Sequence, residues 1–211
     1  MIKNVIFDLG GVIMTLEPQE AVRRFVSLGL QQAPEMMDPY TQQGVFGDLE
    51  KGKISADEFT TELERLVGRS LSFEEVQHCW LGYAKEVPAR NIAFLRQLKA
   101  AGYRLILLSN TNPFMMAWAM SPEFSGDGHA LGDFFDACYC SYELGAMKPA
   151  REFFSKMLMK EMIPPSECLF VDDGPRNVAT ASQMGMMTLC PENGEDWTGK
   201  VMTLLQTYNE E

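Results

Sequence analysis

Three apolar residues in a row, Val5-Ile6-Phe7, run straight into Asp8-Leu9-Gly10-Gly11. A run with no polar alternation, bounded by glycines, suits a strand covered on both faces, as in a parallel sheet. Similar runs recur. Tyr103–Leu108 leads into Ser109-Asn110, Ala137–Cys140 into Ser141, and Cys168–Val171 into Asp172-Asp173-Gly174, with a weaker run at Met187–Cys190.

Helical patterns separate these runs. Asn91–Ala101 places Ile92, Leu95 and Leu98 at helical spacing, with Gly102 as a C-terminal cap. Pro149–Met162 reads as a helix with its proline in the first turn. Arg176–Met184 stops at Gly185, and Glu195–Tyr208 closes the chain. Strands alternating with helices specify an α/β fold, a three-layer Rossmann-like core with a mainly parallel sheet.

The stretch from Glu17 to Lys85 breaks the rhythm. It carries helical segments and no clear buried strand. Glu20–Leu28 sets Ala21, Phe25 and Leu28 at helical spacing, and Phe73–Leu81 gives another short amphipathic turn. Ser55-Ala56-Asp57-Glu58 has the pattern of a capping box, opening a helix with Phe59, Leu63 and Leu66 on one face. The expected organisation is a core of residues 1–16 and 86–211, with residues 17–85 forming a small helical cap inserted after the first strand.

A length of 211 residues suits one domain carrying such an insertion. The formal net charge of −11 argues against nucleic acid or an anionic membrane as the main partner, while leaving room for a local anion site. No run approaches the roughly 20 apolar residues a membrane span needs, and the N-terminus lacks a signal-peptide pattern. The five cysteines form no CxxC pair and the two histidines lie far apart, so zinc-finger spacings are absent. A soluble, cytoplasmic protein with free thiols is expected; its oligomeric state is not legible.

Ligands of open parallel sheets sit outside the carboxyl ends of the strands. Those ends carry Asp8, Ser109-Asn110 and Asp172-Asp173, and Lys148 lies at a loop-to-helix junction. Each has an ordinary reading as a turn, cap or surface residue. Glycines beside Asp8 let backbone amides approach an anion. Adjacent carboxylates at Asp172-Asp173 repel unless a hard cation such as Mg²⁺ sits between them. Together the set offers a nucleophile (Asp8), holders of anionic oxygens (Ser109, Lys148) and a dication site (Asp172, Asp173). That is the equipment for in-line displacement at phosphorus through an aspartyl-phosphate.

The sequence resembles the haloacid dehalogenase-like hydrolase superfamily. Four motifs stand in order: Phe7-Asp8-Leu9-Gly10-Gly11-Val12, Leu108-Ser109-Asn110, Lys148-Pro149 and Phe170-Val171-Asp172-Asp173. Ser109-Asn110-Thr111-Asn112, the stretch Leu49–Ser55 and Asn177 after Asp172-Asp173 are similar to the bacterial sugar-phosphatase members, such as α-D-glucose-1-phosphate phosphatase, and to the phosphatase-like domain of epoxide hydrolases. The resemblance implies a Mg²⁺-dependent phosphatase of a small phosphorylated metabolite, a sugar phosphate. Asp8 would attack phosphorus, and Ser109 and Lys148 would bind phosphate oxygens with help from the Asn110 amide. Asp8, the Gly10 carbonyl and Asp173 would hold Mg²⁺, with Asp172 nearby or bridging through water.

One departure stands out. The phosphatase pattern usually places a second aspartate two residues after the nucleophile as general acid and base; here that residue is Gly10. Such catalysis contributes about 10²–10⁴-fold. Three readings follow: another group or the substrate itself supplies the proton; the leaving group needs less help, as an anomeric or acyl phosphate would; or the protein is a slow or non-catalytic binder of a phosphate ligand. A competing enzyme reading is a metal-free 2-haloacid dehalogenase, which also lacks the second aspartate. The paired Asp172-Asp173 weighs against it. Further residues stay open between packing and substrate contact: Phe46 and Leu49, in a cap loop before Glu50, the cluster Met115-Met116, Trp118 and Met120 after the Ser109 loop, and Tyr142.

Overall fold

The computed structural model describes residues 1–37 and 42–209. The chain begins with β1 (Asn4–Phe7) and β2 (Thr15–Leu16). Five helices follow: α1 (Pro18–Leu28), α2 (Ala33–Met36), α3 (Gly44–Glu50), α4 (Ala56–Val67) and α5 (Phe73–Trp80). Then come β3 (Ala84–Glu86), α6 (Ala89–Ala100), β4 (Arg104–Ser109), α7 (Pro113–Ala119), β5 (Ala137–Cys140), α8 (Ser141–Leu144) and α9 (Arg151–Glu161). The chain finishes with β6 (Cys168–Val171), α10 (Pro175–Gln183), β7 (Met187–Leu189) and α11 (Thr198–Asn209).

The main sheet has the order β5-β4-β1-β6-β7 and every pairing in it is parallel. The first strand of the chain is therefore the central one. Its side chains divide by the two-residue period of a strand. Val5 and Phe7 enter one buried cluster with Leu105, Leu107, Leu169 and Val171; Ile6 enters the other with Ile106, Leu108 and Phe170. On the second face lie Phe153, Phe154 and Met157 of α9 and Ala181 of α10. On the first lie Leu95 and Leu98 of α6 and Val201 and Leu205 of α11. This is the three-layer α/β architecture expected from the uninterrupted apolar runs.

Among the described residues, the five α-helices between β2 and β3 pack around aromatic rings that join the first buried cluster. Phe46 meets Phe25, Phe59 and Trp80 at ring centroid distances of 5.0, 5.1 and 5.4 Å. Phe46 and Leu49 are fully buried, on a helix rather than a loop. Ser55 caps α4 as its pattern indicates: its hydroxyl accepts from Glu58 N at 3.1 Å, and Ser55 N donates to the Glu58 carboxylate at 2.7 Å. Ser72 and Glu75 repeat the device at α5. The stretch is bracketed by an antiparallel ribbon of β2 with β3, pairing Thr15 with Glu86 and Leu16 with Ala84. Two and three residues are too short to leave a pattern in the sequence.

The proline expected inside a first helical turn stands ahead of the helix. Lys148-Pro149 is a cis peptide, Ala150 is the extended N-cap residue, and α9 starts at Arg151. The backbone of Lys148 is tied down by Asn110, described below, so the helical turn begins only after that anchor. All five cysteines are free. Among the described residues no helix is long and apolar enough to cross a membrane.

Candidate active site

The central place of β1 decides what meets Asp8. Phe7 pairs with Leu107 of β4 and Val171 of β6, and Asp8 N continues the ladder by donating to Val171 O at 3.0 Å. The carboxyl ends of these strands, with the residues that follow them, therefore converge. Ser109 and Asn110 arrive on one side of Asp8, and Asp172 and Asp173 on the other. Asp8, Asp172 and Asp173 each offer a carboxylate oxygen within 4.8 Å of the others.

Lys148 reaches this knot from the loop before α9. Its Nζ lies 2.9 Å from Asp8 Oδ1 and 2.7 Å from Asp172 Oδ2, with the ammonium fully buried. The loop is held by a two-bond clamp. Lys148 N donates to Asn110 Oδ1 at 2.8 Å, and Asn110 Nδ2 donates to Lys148 O at 2.9 Å. The Asn110 side chain is thus spent on positioning Lys148. Asp172 is likewise saturated: beyond Lys148 it accepts from Gly174 N at 2.8 Å and Asn177 Nδ2 at 2.9 Å.

Gly11 accounts for the close approach of Asp173. It sits at φ +74°, and a Cβ there would fall 2.1 Å from Asp173 Oδ2. Gly10 differs: a Cβ would meet only the Leu16 side chain at 3.2 Å. The second glycine is demanded by the packing, and the first is not.

Burial in one place makes the carboxylates hard to ionise. It pushes Asp8 up to about 6, the Lys148 ammonium opposing and the Asp172 charge adding. It pushes Asp173 up to about 7, helped by the charges of Asp8 and Asp172. Burial also works against the charge of Lys148, but Asp172 and Asp8 outweigh it and hold the ammonium above the usual lysine range. Three carboxylates against one ammonium leave an excess of negative charge on hard oxygen donors. That donor set fits Mg²⁺, which takes oxygen ligands and favours carboxylates. Asp8 and Asp173 have oxygens to spare for it, while those of Asp172 are committed.

Above the knot lies a cavity of about 460 Å³. Its floor is made by Asp8, Ser109, Lys148 and Asp173, and its far wall by Glu50, Gln42, Trp80 and Tyr83 from the helical stretch. Gln42 Nε2 donates to the Tyr83 hydroxyl at 2.8 Å. The indole N–H of Trp80 is buried and, among the described residues, has no hydrogen-bond partner. Glu50 is 9% exposed. Burial pushes its carboxyl up to about 8, with the Asp8 charge adding and Lys51 opposing.

All seven residues singled out in the sequence (Asp8, Gly10, Ser109, Asn110, Lys148, Asp172, Asp173) come together at the sheet edge, and all but the buried Asp172 line the cavity. Of the residues left open, Met115 lines it, whereas Phe46 and Leu49 pack internally and Met120 faces solvent. Sequence reasoning missed the far wall. A signal existed for Glu50: Phe46, Leu49 and Glu50 fall at i, i+3 and i+4, which puts the glutamate on the buried face of its helix.

The profile of the haloacid dehalogenase-like hydrolases matches residues 2–185. The chain belongs to that family. It is 46% identical over 207 residues to a D-ribitol-5-phosphate phosphatase of Bacteroides thetaiotaomicron, covering 98% of this chain and 100% of the relative. A haloacid dehalogenase-like hydrolase structure from Porphyromonas gingivalis superposes with a TM-score of 0.92 at 44% identity, covering 98% of both chains. A second family enzyme of Bacteroides thetaiotaomicron, solved with magnesium and inorganic phosphate, gives a TM-score of 0.85 at 30% identity over 95% of this chain and 99% of that one.

Proposed function

We propose that this chain is a Mg²⁺-dependent phosphatase of a small sugar or sugar-alcohol phosphate, acting through an aspartyl-phosphate on Asp8. The observation that carries the reading is Asp8 itself. It is a carboxylate in the cavity, backed by a buried ammonium at 2.9 Å and flanked by Asp173. A relative that is a D-ribitol-5-phosphate phosphatase, and a family structure holding magnesium and phosphate, support it.

In this reading a phosphate monoester enters with its phosphoryl group on the floor. Lys148 and the Ser109 hydroxyl bind phosphoryl oxygens, and the backbone amide of Asn110 is the part of that residue left to help. An Asp8 oxygen attacks phosphorus, the ester P–O bond breaks, and the alcohol leaves with a proton. Water then attacks the aspartyl-phosphate and frees Asp8 and inorganic phosphate. Mg²⁺, held by Asp8, the Gly10 carbonyl and Asp173 with Asp172 behind, would supply positive charge to the phosphoryl oxygens. Residues 17–85 act as a cap on a core of 1–16 and 86–211, and their wall chooses the alcohol. Its polar groups suit a hydroxylated one; the Trp80 N–H, without a partner among the described residues, would be a donor for such an oxygen.

The test is phosphate release from a panel of sugar and sugar-alcohol phosphates with Mg²⁺, EDTA, and the Asp8→Asn variant. Turnover abolished by chelation and by Asp8→Asn is expected. Full activity in Asp8→Asn excludes the covalent route, and binding of phosphate esters without any turnover favours a non-catalytic role.

A further inference from the structure

The second aspartate of the usual phosphatase pattern is missing at Gly10, so something else must handle the proton of the leaving alcohol. We infer that Glu50, at the C-terminal end of α3, is the general acid and base of this site. The inference rests on the phosphatase reading above.

The cavity holds few groups able to do this. Asp8 is the nucleophile of that reading, and Asp173 shares its knot of carboxylates. Asp172 spends both oxygens on Lys148, Gly174 and Asn177. Among the described residues, Glu50 is the cavity carboxyl that lies outside the knot, and no hydrogen bond or ion pair engages it. It lines the same cavity as Asp8 but comes from the helical stretch, near enough to feel the Asp8 charge. In an in-line displacement the leaving oxygen departs on the side of phosphorus away from the attacking oxygen. A phosphoryl group attacked by Asp8 from the sheet edge would send its leaving oxygen away from that edge, toward the residues that the helical stretch contributes to the cavity.

The placement of Glu50 is built in. Phe46 and Leu49, on the same helical face, anchor it in the aromatic core of the cap. Two residues on, Gly52 at φ +66° packs so tightly on the core that a Cβ would lie 2.1 Å from Tyr142 O. The segment bearing Glu50 is thus seated against α8, which opens next to the Lys148 loop. Burial keeps its carboxyl protonated near neutrality, with the proton to give.

The proton balance is complete. In the first step Asp8 bonds to phosphorus, the ester P–O bond breaks, and the Glu50 proton passes to the departing alkoxide. In the second, Glu50 carboxylate takes a proton from water as its oxygen bonds to phosphorus, and the P–O bond to Asp8 breaks. Glu50 ends protonated, as it began.

Glu50→Gln tests this, because the amide keeps the size and the neutral charge of a protonated glutamic acid. Thermal unfolding of the purified variant should match the wild type. On ribitol 5-phosphate, an alkyl ester whose leaving group needs a proton, kcat should fall by about 10²–10⁴-fold. On p-nitrophenyl phosphate, whose leaving group needs none, the first step should survive and the second stall. Rapid mixing should then show a burst of one nitrophenol per active site followed by slow turnover, with phosphate trapped on Asp8. A residue that merely binds a substrate hydroxyl would raise KM for the sugar alcohol and leave the aryl ester without a burst. Undiminished kcat on the alkyl ester overturns the assignment, as does an equal loss on both esters with no burst. Absence of phosphate release by the wild type overturns the phosphatase reading together with it, whereas an unaffected Glu50→Gln overturns Glu50 alone.

Discussion

Replacing Lys148 by methionine removes a buried positive charge and leaves its volume filled. The ammonium it removes lies 2.9 and 2.7 Å from carboxylates of Asp8 and Asp172, and Asp173 is within 4.8 Å of both. Taking one partner from a buried ion pair costs about 3–5 kcal/mol, because the other charge stays behind in a poor solvent. At about 2–4 °C per kcal/mol for a chain of this size, the metal-free variant should melt roughly 6–20 °C below the wild type near pH 8. The knot has one way to soften that penalty without a cation, which is to take up protons. Asp8 at about 6 and Asp173 at about 7 are already raised with Lys148 present, and both rise further without it. The gap between variant and wild type should therefore narrow toward pH 5. Mg²⁺ should narrow it too, at constant pH, by replacing part of the missing charge. The assay is thermal unfolding of both proteins at pH 5 and pH 8, in EDTA and in excess Mg²⁺. A variant as stable as the wild type at pH 8 in EDTA, or a gap indifferent to pH, would refute the argument that Lys148 neutralises this knot.

Two more outcomes follow from the same geometry. In the metal-free wild type, Asp8 and Asp173 are raised from an ordinary 3.8 to about 6 and about 7, so between those limits the folded chain binds more protons than the unfolded one. Their contribution to stability is whole below pH 4 and lost as pH rises through 6 and 7; urea midpoints in EDTA that climb over that range would contradict it. Gly11→Ala puts a methyl where Asp173 now lies and forces φ +74° on an alanine, a strain of about 1–2 kcal/mol. Thermal unfolding should show the strain as a lower midpoint; calorimetric titration should show weaker Mg²⁺ binding because the methyl displaces the Asp173 carboxylate, and unchanged affinity would show that Asp173 has room to move.

Much of the floor of this site is visible in the sequence because a strand buried on both faces admits no polar residue until it ends. The first polar residue after each apolar run is then already at the carboxyl edge, as with Asp8, Ser109 and Asp172. The far wall lacks that punctuation. Glu50 sits in a seven-residue helix whose periodicity is barely two turns, and its burial depends on a fold around it that no local pattern encodes. Asn110 is a different case: its position is plain from the sequence, but its use as a clamp for Lys148, 38 residues away, is a property of tertiary structure alone. Asn91 is similar, donating from inside α6 to the carbonyls of Val12 and Ile13 and so bracing the loop after Asp8. The ribbon of β2 with β3 escapes notice because its hydrogen bonds join residues about 70 positions apart.

The aromatic core of the helical stretch does not end at its own border. Phe114, on the α7 helix that follows the Ser109-Asn110 loop, stacks on Phe73 at 4.7 Å and touches Phe59 at 5.8 Å. Gln77 of α5 donates to the carbonyl of the same phenylalanine at 3.1 Å. A wide swing of the upper layer would have to peel these rings apart and wet them. These contacts tie the helical stretch to the helix that continues from the Ser109-Asn110 loop, so the two share part of one apolar core.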